Sequence, residues 1–177
     1  MRPYFARVVV ALCFSMALAA CAANRSVDAS AGSPSARASQ LSAASILRWP
    51  LEGQPGRDRL VAELHRSFAM RMFADQQYSG DGPLRLADGT VLSFAMIRGK
   101  SGAVDIGFEL SSCFTAIEAA ELAGATEQPG TQDAHGSDVG KWYRATANGM
   151  VVRFDTEPAT YRCVKTVHIR PARVARP

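Results

Sequence analysis

LRLADGTVLSFAMIRGKSGAVDIGFEL, residues 84–110, places apolar side chains at every second position and punctuates the alternation with turns. Leu92, Phe94 and Met96 share one side of their run. Val104, Ile106, Phe108 and Leu110 alternate with Asp105, Gly107 and Glu109 in the next. A period of two is the signature of a strand with one face buried. Asp88-Gly89 lies between two apolar runs, where a tight hairpin turn needs residues tolerant of positive φ. Gly99-Lys100-Ser101-Gly102 turns the chain a second time. Residues 84–110 are therefore expected as antiparallel strands, with residues 103–110 forming a half-buried one.

Toward the N-terminus, Gly80-Asp81-Gly82-Pro83 separates this region from a helix expected over residues 58–77. Leu60, Val61, Leu64, Phe68 and Met72 fall within about 120° of one another at helical spacing. Met70 and Phe73 lie outside that arc and imply cover on a second side. Toward the C-terminus, residues 114–123 predict a short helix, with Thr115 and Glu118 at capping-box spacing and Gly124 placed to end it. Residues 127–140 are polar and glycine-rich and are expected as a long exposed loop. A second hairpin follows, residues 141–146 and 150–155 around Asn148-Gly149, and residues 161–170 supply a last strand. The fold class is α+β: an N-terminal helix on an antiparallel sheet of five or six strands, with a second short helix.

The first 20 residues have another character. Arg2 and Arg7 precede the uncharged run VVVALCFSMALAA, residues 8–20, which is long enough for a signal peptide and too short to span a bilayer. Leu18-Ala19-Ala20-Cys21 resembles the lipobox of bacterial lipoproteins. That resemblance implies cleavage before Cys21 and lipid attachment to its thiol. By the same resemblance, Ala22 after the cysteine implies sorting to the outer membrane, facing the periplasm. Ala17-Leu18-Ala19 and Ala20-Cys21-Ala22 also fit an ordinary A-x-A cleavage site. Cysteine parity bears on the choice. Cys13 leaves with the signal, and in an exported chain Cys113 and Cys163 are expected to pair. Cys21 is then either a stray thiol or a lipid attachment point. A Cys113–Cys163 bridge would close a loop of about 50 residues, worth up to roughly 4 kcal/mol.

Residues 22–45 are rich in Ala, Ser and Gly and nearly empty of large apolar side chains, so they are expected as a flexible tether with a reach of roughly 25–30 Å. The expected organisation is a signal over residues 1–20, a lipidated Cys21 and linker over 21–45, one periplasmic domain over 46–170 and a basic tail over 171–177.

Of 20 basic residues, Arg2 and Arg7 leave with the signal, so the mature chain carries 18 against 16 acids. Their distribution is uneven. Between Lys100 and Lys141 there is no Lys or Arg, while Asp105, Glu109, Glu118, Glu121, Glu127, Asp133 and Asp138 fall there. Residues 162–177 hold Arg162, Lys165, Arg170, Arg173 and Arg176 and no acid. Export excludes nucleic acid as a partner.

His65, His135 and His168 stand apart with no metal-ligand spacing, so neither metal nor cofactor is expected. His168 alternates away from Cys163 and is expected to face solvent or a partner. No G-x-S-x-G or S-x-x-K occurs, and Gly136-Ser137-Asp138-Val139-Gly140-Lys141 is one residue short of a phosphate loop. No catalytic constellation emerges. Trp142 and Tyr143 follow the acidic loop and, being adjacent in a strand, must point to opposite faces. The expectation is a non-catalytic domain that binds another envelope or secreted protein through Glu118, Glu121, Asp133, Asp138, Trp142 and Tyr143, as an assembly component or as an inhibitor or immunity protein. Two alternatives remain. One is a tethered cell-wall or glycan hydrolase, with two acids such as Glu109 and Glu118 across a shared cleft. The other is a module that binds anionic wall polymer or lipopolysaccharide through the basic final strand and tail.

Overall fold

A computed structural model of the chain describes residues 41–130, 132, 135–138 and 140–173. The expected signal, Cys21, most of the expected linker, Asp133 and Arg176 lie outside these residues. The elements run α1 (Ala43–Arg48), α2 (Gln54–Ser67), β1 (Arg71–Ala74), β2 (Gln77–Arg85), β3 (Val91–Arg98), β4 (Ala103–Phe108), α3 (Ala116–Ala123), β5 (Thr126–Gln128), β6 (Trp142–Ala147), β7 (Met150–Thr156) and β8 (Val164–Pro171). All strands join one antiparallel sheet in the order β1-β2-β3-β4-β8-β7-β6-β5. Two four-strand meanders thus meet where β4 pairs with β8.

The α+β class holds, with a larger sheet than five or six strands. Both extra strands come from segments expected to be something else. The helix that was to reach Gln77 stops at Ser67, and Phe68 is already extended, with φ −96° and ψ 148°. Residues 71–77 then form β1 and open β2. Gly80 of β2 packs so closely on Phe68 and Met70 that a Cβ there would lie 2.8 Å from the Phe68 Cβ and 2.7 Å from the Met70 sulfur. Pairing with β2 has overridden a good local helix propensity. Met72 and Phe73 are consequently exposed at the sheet edge instead of buried in a helix stripe. At the other edge Thr126–Gln128 pairs with β6, a three-residue polar strand whose composition carries no alternating apolar signal.

The domain also begins earlier than residue 46. Leu41 is fully buried, and Ser42 caps α1, exchanging hydrogen bonds with Ser45 in a capping box. The Asp88-Gly89 turn holds this entry: Asp88 Oδ2 accepts the Ala43 N–H at 2.7 Å, and the Leu41 carbonyl accepts the Ala87 N–H at 3.1 Å. Residues 41–45 therefore belong to the fold and not to the expected linker.

The helices cover one face of the sheet. Leu41, Ile46, Leu47, Leu60 and Leu64 pack with Leu92, Ile97, Val104, Ile106, Val152, Phe154, Val167 and Ile169 in one core. Truncating a fully buried side chain such as Phe154 to Ala would cost about 3–5 kcal/mol. Expected hairpins form at both turn signals. Asn148 and Gly149 have φ of 48° and 75°, the pair of positive values that a two-residue turn demands. Thr115 Oγ1 accepts the Glu118 N–H at 3.2 Å, and Gly124 in the left-handed region ends α3. Cys113 and Cys163 are joined, with Cα atoms 5.0 Å apart, which ties the start of α3 to the approach to β8. No described helix is long and apolar enough to cross a membrane.

Candidate functional site: a basic groove on the open face of the sheet

Alternation sends every second residue of the central strands away from the helices. On β4 the apolar members Val104, Ile106 and Phe108 enter the core, and Asp105 and Gly107 point to the open face. Asp105 sits opposite His168 of β8, which in turn sits opposite Arg153 of β7. On the same side, two residues along each strand, lie Arg170 and Asp155. Strand pairing thus collects ionisable side chains from distant parts of the chain.

His168 is held at both ring nitrogens. Its Nδ1 lies 2.8 Å from Asp105 Oδ1 and its Nε2 lies 2.9 Å from Asp155 Oδ2. Asp105 also accepts from Arg170 Nη2 at 2.8 Å and pairs with Arg98 Nη2 at 3.2 Å. Arg153 donates from Nε and Nη2 to Asp155 Oδ1 at 2.9 and 2.7 Å. These contacts explain the titration of the group. The Asp105 hydrogen bond, then that of Asp155, raises the His168 pKa to about 9 against the opposing effect of burial. Burial pushes the Asp105 carboxyl up, but the His168 hydrogen bond and the charges of Arg170, His168 and Arg98 outweigh it and leave it below the usual aspartate range. Asp155 follows the same pattern through His168 and Arg153. At neutral pH His168 is an imidazolium donating two hydrogen bonds. It has no free lone pair with which to act as a base.

Asp105 departs from expectation in its burial. It was to be the solvent-facing member of a half-buried strand, yet only 6% of it is accessible. Arg98, Arg170 and His168 roof it over, so its charge is matched inside the protein.

Next to this cluster runs a groove of about 740 Å³ lined by Arg144, Val151, Arg153, His168, Arg170 and Arg173. Arg144 and Arg173 are exposed and form no ion pair among the described residues. Arg98, Arg144, Arg153, His168, Arg170 and Arg173 together set six cations against Asp105 and Asp155. A second groove, of about 580 Å³, adjoins it across Arg153 and is lined by Trp142, Gly130, Lys165 and Thr166 as well as Asp155. The Arg153 guanidinium lies 4.6 Å from the Trp142 ring centroid. Among the described residues no group of His, Cys, Asp and Glu has the arrangement of a metal site.

The structure divides the residues expected to form an acidic and aromatic contact surface. Glu118 and Glu121 are exposed on α3, on the helix side of the sheet. Asp138 accepts the Gly140 N–H at 2.8 Å and the Tyr161 hydroxyl, which ties its loop to the turn before β8. Asp133 lies outside the described residues. Trp142 and Tyr143 do take opposite faces. Tyr143 stacks on buried Phe154 with centroids 5.0 Å apart and bonds Glu127, while Trp142 faces the open side. Trp142 is therefore separated by the sheet from the acids of α3. Glu118 lines a groove with Ser42, Arg85 and Asp88 that does not include Glu109, so the two acids named for a hydrolase do not share that cleft.

The residues that do converge, Asp105, Arg144, Arg153, Asp155, His168 and Arg170, were not grouped by sequence reasoning. Each occupies the polar phase of an alternating strand, which is legible, but grouping them required the strand order. No protein-family model, no curated protein and no solved structure matches the chain.

Proposed function

We propose that the chain is a membrane-tethered lipoprotein of the bacterial envelope whose domain is a non-catalytic binding module for an anionic partner. The lipobox-like Leu18–Cys21 run supports the tether and the address. The surface that favours binding is the open face of the sheet, and one observation carries this reading. Four arginines from β6, β7, β8 and the segment after β8 line one groove beside a doubly held imidazolium, with two acids to balance them. Preformed ion pairs hold Arg153 and Arg170, so little side-chain entropy remains to be lost when a ligand arrives. An excess of fixed positive charge also accelerates encounter with an anionic surface. The acidic face first expected as the contact surface has no comparable convergence.

Two measurements test this. Cys21→Ser should release the protein from the membrane fraction while leaving the Cys113–Cys163 bridge intact, and retention in the membrane fraction would overturn the tether. Binding of the detergent-solubilised protein to an immobilised acidic polymer, polyglutamate, should weaken as salt rises. The pair Arg144→Glu and Arg173→Glu should weaken it by about tenfold, the cost of two charge-assisted contacts. Glu118→Lys with Glu121→Lys should leave it unchanged. Polyglutamate binding that ignores the arginine pair would overturn the assignment of the open face.

A further inference from the structure

Two grooves of different chemistry share one wall, the side chain of Arg153. The first presents guanidinium groups: Arg144, Arg170 and Arg173 beside Arg153. The second presents the partly exposed indole of Trp142, rimmed by the Thr166 hydroxyl and the Lys165 ammonium. Arg153 does not drift between them, because Asp155 fixes its fork at 2.7 and 2.9 Å while the guanidinium stacks on the indole.

An apolar platform with hydrogen-bonding groups at its rim matches a pyranose ring. A sugar carries C–H bonds on its faces and hydroxyls around its edge. One face would pack on the side of the Trp142 ring that Arg153 does not cover, while the hydroxyls reach Thr166 and Lys165. A purely acidic polypeptide would use the arginines and have no need of the platform. We propose that Trp142 forms a saccharide subsite and that the adjoining arginines take acidic substituents of the same chain. The ligand is then an anionic glycan, specifically a wall glycan whose sugars bear carboxylate-carrying substituents. This deepens the reading of the open face as the binding surface and rests on it. Charge complementarity selects the acidic chain, and the aromatic platform selects the sugar.

The experiment compares binding of the detergent-solubilised full chain to two probes. One is purified cell-wall sacculi stripped of protein, and the other is polyglutamate, which has carboxylates and no sugar. The expected result is that Trp142→Ala weakens sacculus binding by about tenfold and polyglutamate binding by less than about twofold. Trp142→Phe, which keeps an aromatic platform, should retain most sacculus binding and serves as the control for folding. Arg144→Glu with Arg173→Glu should weaken both probes. If Trp142→Ala changes both probes equally or neither, the saccharide subsite is overturned while the basic face stands. Binding of the unaltered protein to polyglutamate but not to sacculi also overturns it. If the arginine pair leaves both probes at their original affinity, the basic face falls too.

Discussion

Asp105 lies directly across the β4–β8 pairing from His168, and its Oδ1 accepts the Nδ1 hydrogen at 2.8 Å. The two residues are 63 positions apart in the chain, and their contact joins the two meanders of the sheet on its open side. The core side of the same junction is apolar, with Val104 and Ile106 paired to Ile169 and Val167. One face of the seam is thus held by burial and the other by charge.

The charged face makes stability depend on pH at the alkaline end. The His168 pKa is about 9 in the folded protein and 6.5 when unperturbed. Its contribution is complete below about 6.5 and is lost as pH rises through about 9, a change of at most about 3 kcal/mol, reduced by solvent screening of the partly exposed ring. Urea unfolding near pH 6 and near pH 10 should show this loss, and His168→Gln should flatten it. Because Asp105 and Asp155 are shifted the other way, their contributions persist above the ordinary aspartate range and fade only as pH falls below it.

Removing the shared anion should cost more than removing any exposed charge. Asp105→Ala leaves Arg98, His168 and Arg170 facing one another with no buried carboxylate between them. The expected destabilisation is about 3 kcal/mol by thermal or chemical unfolding. Asp58→Ala, which removes an exposed partner of Arg57, should change stability by less than about 1 kcal/mol. Equal effects of the two substitutions would contradict a structural role for the Asp105 cluster.

The Cys113–Cys163 bridge spans 50 residues of sequence and encloses α3 together with β5, β6 and β7. Replacing both cysteines by Ala should lower stability by about 4 kcal/mol, chiefly by freeing the unfolded chain. The hydrogen bonds Ala116 N–H to Arg162 and Val164 N–H to Phe114 keep the two segments adjacent, so the double variant should retain the native far-ultraviolet spectrum.

Glu157 organises the turn that delivers Cys163. Its carboxylate accepts from Ala159 N, Thr160 N, Thr160 Oγ1 and Arg162 N at 2.7, 2.9, 2.5 and 3.0 Å. The Thr160 hydroxyl, followed by the backbone donors, holds its pKa down to about 2. The stabilising effect is therefore present above the ordinary glutamate value and is lost as pH falls through about 2. Glu157→Gln should flatten the acid limb of the stability curve, and an unchanged slope between about pH 4 and pH 2 would show that the turn does not depend on the charge.

Local features of the chain were enough to place β4, the two hairpins, α3 with its caps, and the opposite orientations of Trp142 and Tyr143. Each is decided within a few residues, by period-two alternation or by turn and cap chemistry. They gave the span of β3 but not its faces, because a bulge between Leu92 and Phe94 puts Leu92, Ala95 and Ile97 in the core and not Phe94 and Met96. The ends of the sheet were less legible. Arg71–Ala74 carries residues that suit a helix, and Thr126–Gln128 has no apolar phase, so both became strands only by pairing with neighbours already in place. The basic groove lay further still from local reading. Alternation assigns Asp105, Arg153, Asp155, His168 and Arg170 to the side away from the core. It does not say that β8 inserts between β4 and β7. That choice belongs to the tertiary structure, because strand order is settled by which apolar faces close over one core, and only then do charges scattered along the chain become neighbours.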